Sequence, residues 1–159
     1  MNEGLENILE IEGVKKEADQ LIMNKMIKHQ EELGLSYAAG LFDGEGCIVK
    51  GFTHKYNPVM KKKYLCTTIR MEVCNTDFGL IQWLHDFFQE GHIINLKPRK
   101  IKYGLSKPQQ RWQLTHRQAY RVLKKILKYM KEKNKINKAK EVIDYYEKSE
   151  EKKISDGSI

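Results

Sequence analysis

Ser36-Tyr37-Ala38-Ala39-Gly40-Leu41-Phe42-Asp43-Gly44-Glu45-Gly46 is the stretch on which the reading of this 159-residue chain turns. Small residues recur at Ser36, Gly40 and Gly44, with Ala39 beside Gly40, and a spacing of four puts them on one face of a helix. That face carries almost no side-chain bulk, so a second backbone can approach it closely. Ser36 reads as the N-cap of a short helix, and Gly44 and Gly46 as its end. Two carboxylates, Asp43 and Glu45, stand between the glycines where the helix should stop. A bare packing face that ends in acids is an odd combination for mere structure.

Upstream, residues 1–34 read as a helical N-terminal extension of one or two polar helices, with Leu21, Ile22, Met26 and Leu33 as the apolar stripe. Downstream, a strand is expected from Cys47 to about His54, then a basic turn at Lys61-Lys62-Lys63, then a strand from Tyr64 to Cys74. In the second strand Ile69, Met71 and Val73 alternate with Thr68, Arg70, Glu72 and Cys74, so one face is apolar and the other largely polar. Asp77 to Gln89 is an amphipathic helix closed by Gly91. A third strand runs from about His92 to Lys97, and a basic loop leads to a fourth at Arg111–Leu114. Thr115-His116-Arg117-Gln118 matches a capping box and opens a helix with Val122, Leu123, Ile126, Leu127 and Met130 on its core face. A last helix begins near Lys135.

The order α-β-β-α-β-β-α-α predicts an α+β domain over residues 35–148: a four-stranded antiparallel sheet with helices on one face and the other face open. Residues 149–159 read as a flexible tail. Arg70, Glu72, Arg111 and Gln113 point to the open face, which is either a ligand surface or an ordinary solvated one. Arg and Gln are residue types that read base edges by paired hydrogen bonds, and a two-stranded ribbon fits the major groove.

The charge distribution favours the ligand surface. Net charge is +8, and it is unevenly placed. Residues 93–118 hold seven Lys/Arg and no acid, and residues 119–140 hold nine with Glu132 alone opposing them. Residues 1–34 carry eight acids against four lysines. A positive middle and late chain is the footprint of a polyanion binder. No apolar run approaches a membrane span. The acidic start has neither the basic nor the apolar region of a signal peptide, so none is expected. Cys47, Cys66 and Cys74 show no CxxC spacing and read as free thiols of a reducing, intracellular compartment, which could be an organelle matrix, a bacterial or phage cytoplasm, or a nucleus.

Other chemistries are poorly supported. The five histidines are scattered without metal-ligand spacing. No phosphate-cradling GxxxxGK[ST] and no nucleophile elbow are present. Asp43 and Glu45 beside a basic sheet remain. A carboxylate at a phosphate-binding surface makes sense when a cation lies between them, and Mg²⁺ takes one or two carboxylates plus phosphate oxygens and waters. The chemistry that follows is metal-assisted phosphodiester hydrolysis.

Ala38-Ala39-Gly40-Leu41-Phe42-Asp43-Gly44-Glu45-Gly46 resembles the LAGLIDADG motif of homing endonucleases, with Ala38 for the first Leu, Phe42 for Ile and Glu45 for the second Asp. The element order over residues 35–147 is also that family's. The resemblance implies a site-specific endonuclease that breaks both strands of a long, nearly palindromic DNA target in intron or intein homing. Mg²⁺ would be the cofactor and Mn²⁺ a substitute. It implies Glu45 as catalytic metal ligand, the Gly44 carbonyl as a helper and Asp43 as a lesser, more structural acid. Asn75 would position the attacking water. Lys135 would lie by the scissile phosphate, with Lys131 and Lys133 as rivals. DNA-reading positions carry over to Thr53, Lys55, Thr68, Arg70, Glu72, Arg111 and Gln113, with Lys97 and Arg99 in the basic loop. In that register Lys50 falls on the inward face, at odds with its charge.

The motif occurs once, and single-motif members of the family are homodimers. No other helix in the chain is as bare as the Ser36/Ala39/Gly40/Gly44 face, and cutting two antiparallel strands needs two sites related by a dyad. A homodimer on double-stranded DNA is therefore expected, without a membrane partner. The competing reading on the same scaffold is an RNA maturase acting on intron RNA, or a DNA-binding regulator that does not cut.

Overall fold

The structure, a computed structural model, describes residues 3–155, with side chains from 14 to 150. The chain divides after Leu35 into two compact units. The first is helical. Its Val14, Leu21, Ile22, Met26 and Leu33 side chains are each more than half exposed.

The helix α1 runs Glu3–Glu45 without a break. Ser36 is therefore a mid-helix residue and not the expected N-cap. The physical reason lies upstream: residues 14–33 are dominated by Lys, Glu, Leu, Met, Ile and Gln, mostly strong helix formers, and Gly34 alone costs about 1 kcal/mol, too little to stop propagation.

In the second unit, β1 (Gly46–Asn57) and β2 (Lys62–Asn75) form a long antiparallel hairpin. Then follow α2 (Phe78–Phe88), β3 (His92–Leu96), a small hairpin of β4 (Lys100–Ile101) and β5 (Gly104–Leu105), β6 (Gln109–Thr115), α3 (Arg117–Ile126) and α4 (Lys133–Ser155). The main sheet has the order β1-β2-β6-β3, all neighbours antiparallel. This is the α+β architecture that the pattern predicts. The β4–β5 hairpin is additional, and α4 stays helical past residue 149, where a flexible tail was expected, to Ser155.

Each helix boundary has a local cause. Asp77 caps α2 by accepting the Leu80 N–H at 3.2 Å. The helix closes on Gln89 in the left-handed region, φ 54°, two residues before the expected Gly91. The capping box before α3 is half made. Gln118 Oε1 accepts the Thr115 N–H at 3.4 Å, but Thr115 belongs to β6 and His116 takes the N-cap position without a side-chain bond.

The core lies between the sheet's inner face and the helices. Ile48, Ile69, Met71, Val73, Trp112 and Leu114 supply the sheet side; Ile81, Leu84, Val122, Leu123, Ile126, Ala139 and Val142 supply the helix side. Lys50 pairs with Ile69 on this inner face. It lies at the edge, where its ammonium reaches the Glu141 carbonyl at 3.3 Å and stands 5.6 Å from the Tyr145 ring. A long aliphatic stem lets the charge escape the core. Trp112 is the largest fully buried side chain, stacked on Phe88 and donating its indole N–H to the Glu90 carbonyl at 2.8 Å. Trp112→Ala is expected to lower unfolding free energy by about 3–5 kcal/mol, read as the urea midpoint shift at constant slope.

Candidate functional site

The helix-to-strand corner has no loop: α1 ends at Glu45 and β1 starts at Gly46. Gly46 is required there, because a Cβ would collide with the Phe42 ring and carbonyl. Phe42 is itself fully buried and pins the last turn of α1.

The end of α1 and the start of α4 cap one another. The Lys135 ammonium donates to the carbonyls of Phe42, at 3.0 Å, and of Asp43, two of the acceptors that a helix leaves unsatisfied at its C-terminus. In return Asp43 Oδ2 accepts the Lys131 backbone N–H at 2.6 Å. Glu132 opens α4 by accepting the N–H groups of Asn134, at 3.0 Å, and Lys135, at 2.6 Å. Those two backbone donors hold the Glu132 carboxyl below its ordinary value.

This clasp sorts the expected site residues. Of the three rival lysines, Lys135 brings its ammonium to the motif, whereas Lys131 contributes its backbone. Asp43 spends one oxygen on Lys131, and its other oxygen is buried with no bond. Its contact in this chain is structural. Glu45 is exposed and makes no hydrogen bond or ion pair among the described residues, with the exposed Gly44 beside it. Asn75 ends β2 two residues past Val73, the partner of Gly46, so it stands at the same end of the sheet as the corner. Its side-chain oxygen accepts the Asp77 N–H at 2.9 Å, and its NH₂ makes no hydrogen bond among the described residues.

The register places Thr53, Lys55, Thr68, Arg70, Glu72, Arg111 and Gln113 together on the outward face. Thr68 donates to Thr53 at 3.4 Å. Glu72 Oε2 lies 3.0 Å from Arg70 Nε and 3.4 Å from Arg111 Nη1. One acid between two guanidiniums lets the two sit close together and leaves a net positive patch. Arg111 also donates to Cys74 Sγ at 3.4 Å; that bond first, and then the Glu72 charge, hold its guanidinium above the usual value against the opposing effect of burial. Lys97 and Arg99 follow β3 and border a cleft with Arg111.

The bare helical face is open as well. A Cβ at Gly40 or Gly44 would meet nothing within 4 Å, and Ser36 is exposed. Ala39 does not belong with them: at 0% exposure it packs in the core with Ala38 and Phe42, one helical step round from Gly40. Sequence reading missed Glu132 and Cys74. Glu is not among the preferred N-cap residues, and a thiol beside a distant arginine leaves no local pattern.

Among the described residues no three His, Cys, Asp or Glu side chains converge as a metal cluster, and no helix is long and apolar enough to cross a membrane. No protein-family model matches the chain, and no curated protein is significantly similar to it in sequence. Solved structures do match. The homing endonuclease I-CvuI in complex with its target in the presence of Ca superposes with TM-score 0.56 at 18% identity, over 73% of this chain and 67% of that one. The same endonuclease in complex with the I-CreI target in the presence of Mg gives 0.54 at 19%, over 72% and 66%. The homing endonuclease I-TnaI gives 0.50 at 18%, over 73% and 75%. The chain thus spans about two thirds of the I-CvuI chain, and it has the homing-endonuclease fold.

Asp43→Ala should destabilise the chain by about 1 kcal/mol through loss of the Lys131 bond, and Asp43→Asn, which keeps an acceptor, should recover most of it. The Glu132 contribution has a pH sign. A depressed carboxyl stabilises above its unfolded pKa and loses that contribution as pH falls through the folded value. Thermal unfolding from neutral to acid pH should therefore show a shallower acid-side loss for Glu132→Gln.

Proposed function

We propose that the protein is a site-specific DNA endonuclease that makes a double-strand break by metal-dependent phosphodiester hydrolysis, in the service of intron or intein homing. One observation carries this reading: a free carboxylate, Glu45, is presented at a loopless corner at one end of a sheet whose outward face carries Lys55, Arg70 and Arg111. A pure nucleic-acid binder gains nothing from an acid there, since it repels phosphate. This disfavours a regulator that only binds.

The donors fit a hard divalent cation. Glu45 and the Gly44 carbonyl offer oxygens, and Mg²⁺ needs only one or two protein carboxylates when phosphate and water complete its shell. A bound ion of that kind neutralises phosphate charge and lowers the pKa of a coordinated water. The chain's own groups do the rest. Asn75 orients water through its free NH₂. Lys135 holds the last carbonyls of α1, so the direction of Glu45 depends on it. Arg70, Arg111 and Gln113 read base edges from the outward face, with Thr53, Lys55 and Thr68 beside them.

Among the described residues there is one such corner, and we read a double-strand cut as the work of two chains, each supplying its own. The exposed Ser36/Gly40/Gly44 face supplies a self-complementary surface for a C₂ pair. Gly40→Leu places bulk where the single chain has room. It is expected to keep the folded chain's circular-dichroism spectrum and to convert dimer to monomer in analytical ultracentrifugation, the thermal midpoint falling only by the stabilisation that pairing supplied. A wild-type chain that stays monomeric with and without DNA would refute the pairing.

Cleavage of a DNA library spanning intron insertion sites tests the activity. Cutting is expected with Mg²⁺ or Mn²⁺ and binding without cutting with Ca²⁺. Glu45→Gln should lower the cleavage rate by at least about 10³-fold at nearly unchanged affinity, while Arg70→Ala and Gln113→Ala should each cost about 1–3 kcal/mol of base discrimination. Retained cutting by Glu45→Gln would overturn the assignment. Binding of intron RNA in preference to duplex DNA, without cleavage, would favour the maturase reading instead.

A further inference from the structure

The connection from β3 to β6 does more than join two strands. Residues 97–108 fold back as the β4–β5 hairpin, with Lys100 opposite Leu105 and Ile101 opposite Gly104. Gly104, at φ +125°, turns the chain at Lys102-Tyr103, a conformation that a residue with a Cβ rarely adopts. The base is closed twice, by the Ser106 N–H on the Arg99 carbonyl at 2.8 Å and by the Arg99 N–H on Ser106 Oγ at 2.9 Å. This is a built element.

Its side chains are arranged the wrong way round for a structural hairpin. The apolar ones are outside: Ile101 is 55% exposed, Leu105 66% and Tyr103, at the tip, 87%. Lys102 stands over the Tyr103 ring at 5.3 Å. Lys97, Arg99, Lys100 and Lys107 surround them without an acid between residues 93 and 118. At the base a cleft of about 300 Å³ is lined by Lys97, Arg99 and Lys107 together with the apolar Leu96 and Ile101. Such a tip does not bury itself in a protein core, and the charge around it suits a nucleic-acid backbone.

Its position along the strands selects the groove. Gln113, a base-reading position of the proposed face, pairs with Glu72 three residues from the Asn75 end of β2, and four residues of β6 separate it from Gln109, roughly 13 Å at about 3.3 Å per residue. The hairpin lies beyond that. A surface following one side of B-DNA passes from major to minor groove within half a helical turn, about 17 Å. The same end of the sheet carries Asn75 and the start of β1 after Glu45.

We propose that the β4–β5 hairpin is a minor-groove finger: the basic cleft at its base grips the phosphate backbone, and Tyr103, flanked by Ile101 and Leu105, wedges into the minor groove next to the bond to be cut. This rests on the outward face binding duplex DNA. Apolar wedges of this kind unstack and unwind a base step, which opens the strands at the acid's end of the sheet and makes deformability of the DNA part of site choice.

The test relaxes a closed circular plasmid with topoisomerase while the full chain is bound in Ca²⁺, so that the linking number after protein removal records unwinding, and follows anisotropy of a mixed-sequence 40-base-pair duplex in parallel. Wild type should bind the duplex and shift the linking number. Tyr103→Ala, a substitution at an exposed tip, should bind within about threefold of wild type (~0.65 kcal/mol) and lose the shift, and Tyr103→Trp should retain it. Duplex binding without a wild-type shift, or a full shift with Tyr103→Ala, overturns the finger and leaves the nuclease reading standing. Failure of wild type to bind any duplex overturns both.

Discussion

The second unit depends on satisfying the backbone where one helix stops. An α-helix ends with carbonyls that have no intrahelical partner, and α1 ends by running straight into a strand, with no loop to turn those groups toward water. The chain solves this from a distance. Lys135 reaches back across ninety residues of sequence to bind Phe42 and Asp43, and Asp43 returns a bond to the backbone of Lys131. Removing either side leaves the other with a polar group to satisfy. The exchange ties the first element of the unit to its last, so sheet, core and corner close as one piece.

The sheet then separates two tasks by parity alone. Where β2 and β6 lie under the helices, Ile69, Met71, Val73, Trp112 and Leu114 point inward and are fully buried, and the alternate positions carry Arg70, Glu72, Arg111 and Gln113. The core and the outward face therefore use different side chains of the same strands. Glu72 lies within ion-pair distance of both Arg70 and Arg111, so one negative charge offsets only part of the positive charge on that face. Lys50 is the exception in parity. Its ammonium bonds the Glu141 carbonyl of α4, away from the recognition face.

Much of this was legible beforehand, because alternation and amphipathic spacing act over few residues. Ile69, Met71 and Val73 declared the inner face of β2 unaided, and Glu45 declared itself by standing between glycines. What escaped was non-local or weak. Ser36 looked like a cap because a serine before a motif is a local signal, whereas the continuity of α1 sums small propensities over many residues. The part Lys135 plays rests on a contact with residues ninety positions away. The hairpin after β3 read as loop, since two-residue strands leave no periodicity to detect. Ala39 was misplaced by one helical step: at 100° per residue its neighbour Gly40 faces outward while Ala39 faces the core.

The loopless corner between α1 and β1 has a consequence for how such a chain can change over generations. Strand side chains alternate with period two, so a single residue inserted or deleted at Gly46 would send every outward residue of β1 inward. Phe42 leaves no room for a side chain there either. The corner is therefore inheritable only as it stands, whereas Thr53, Lys55 and the outward residues of β2 and β6 can be exchanged one at a time without touching the core. Under the proposed endonuclease function, a lineage built on this frame can change its DNA target while Glu45 stays in place. The outward residues are free to drift, and the corner is not.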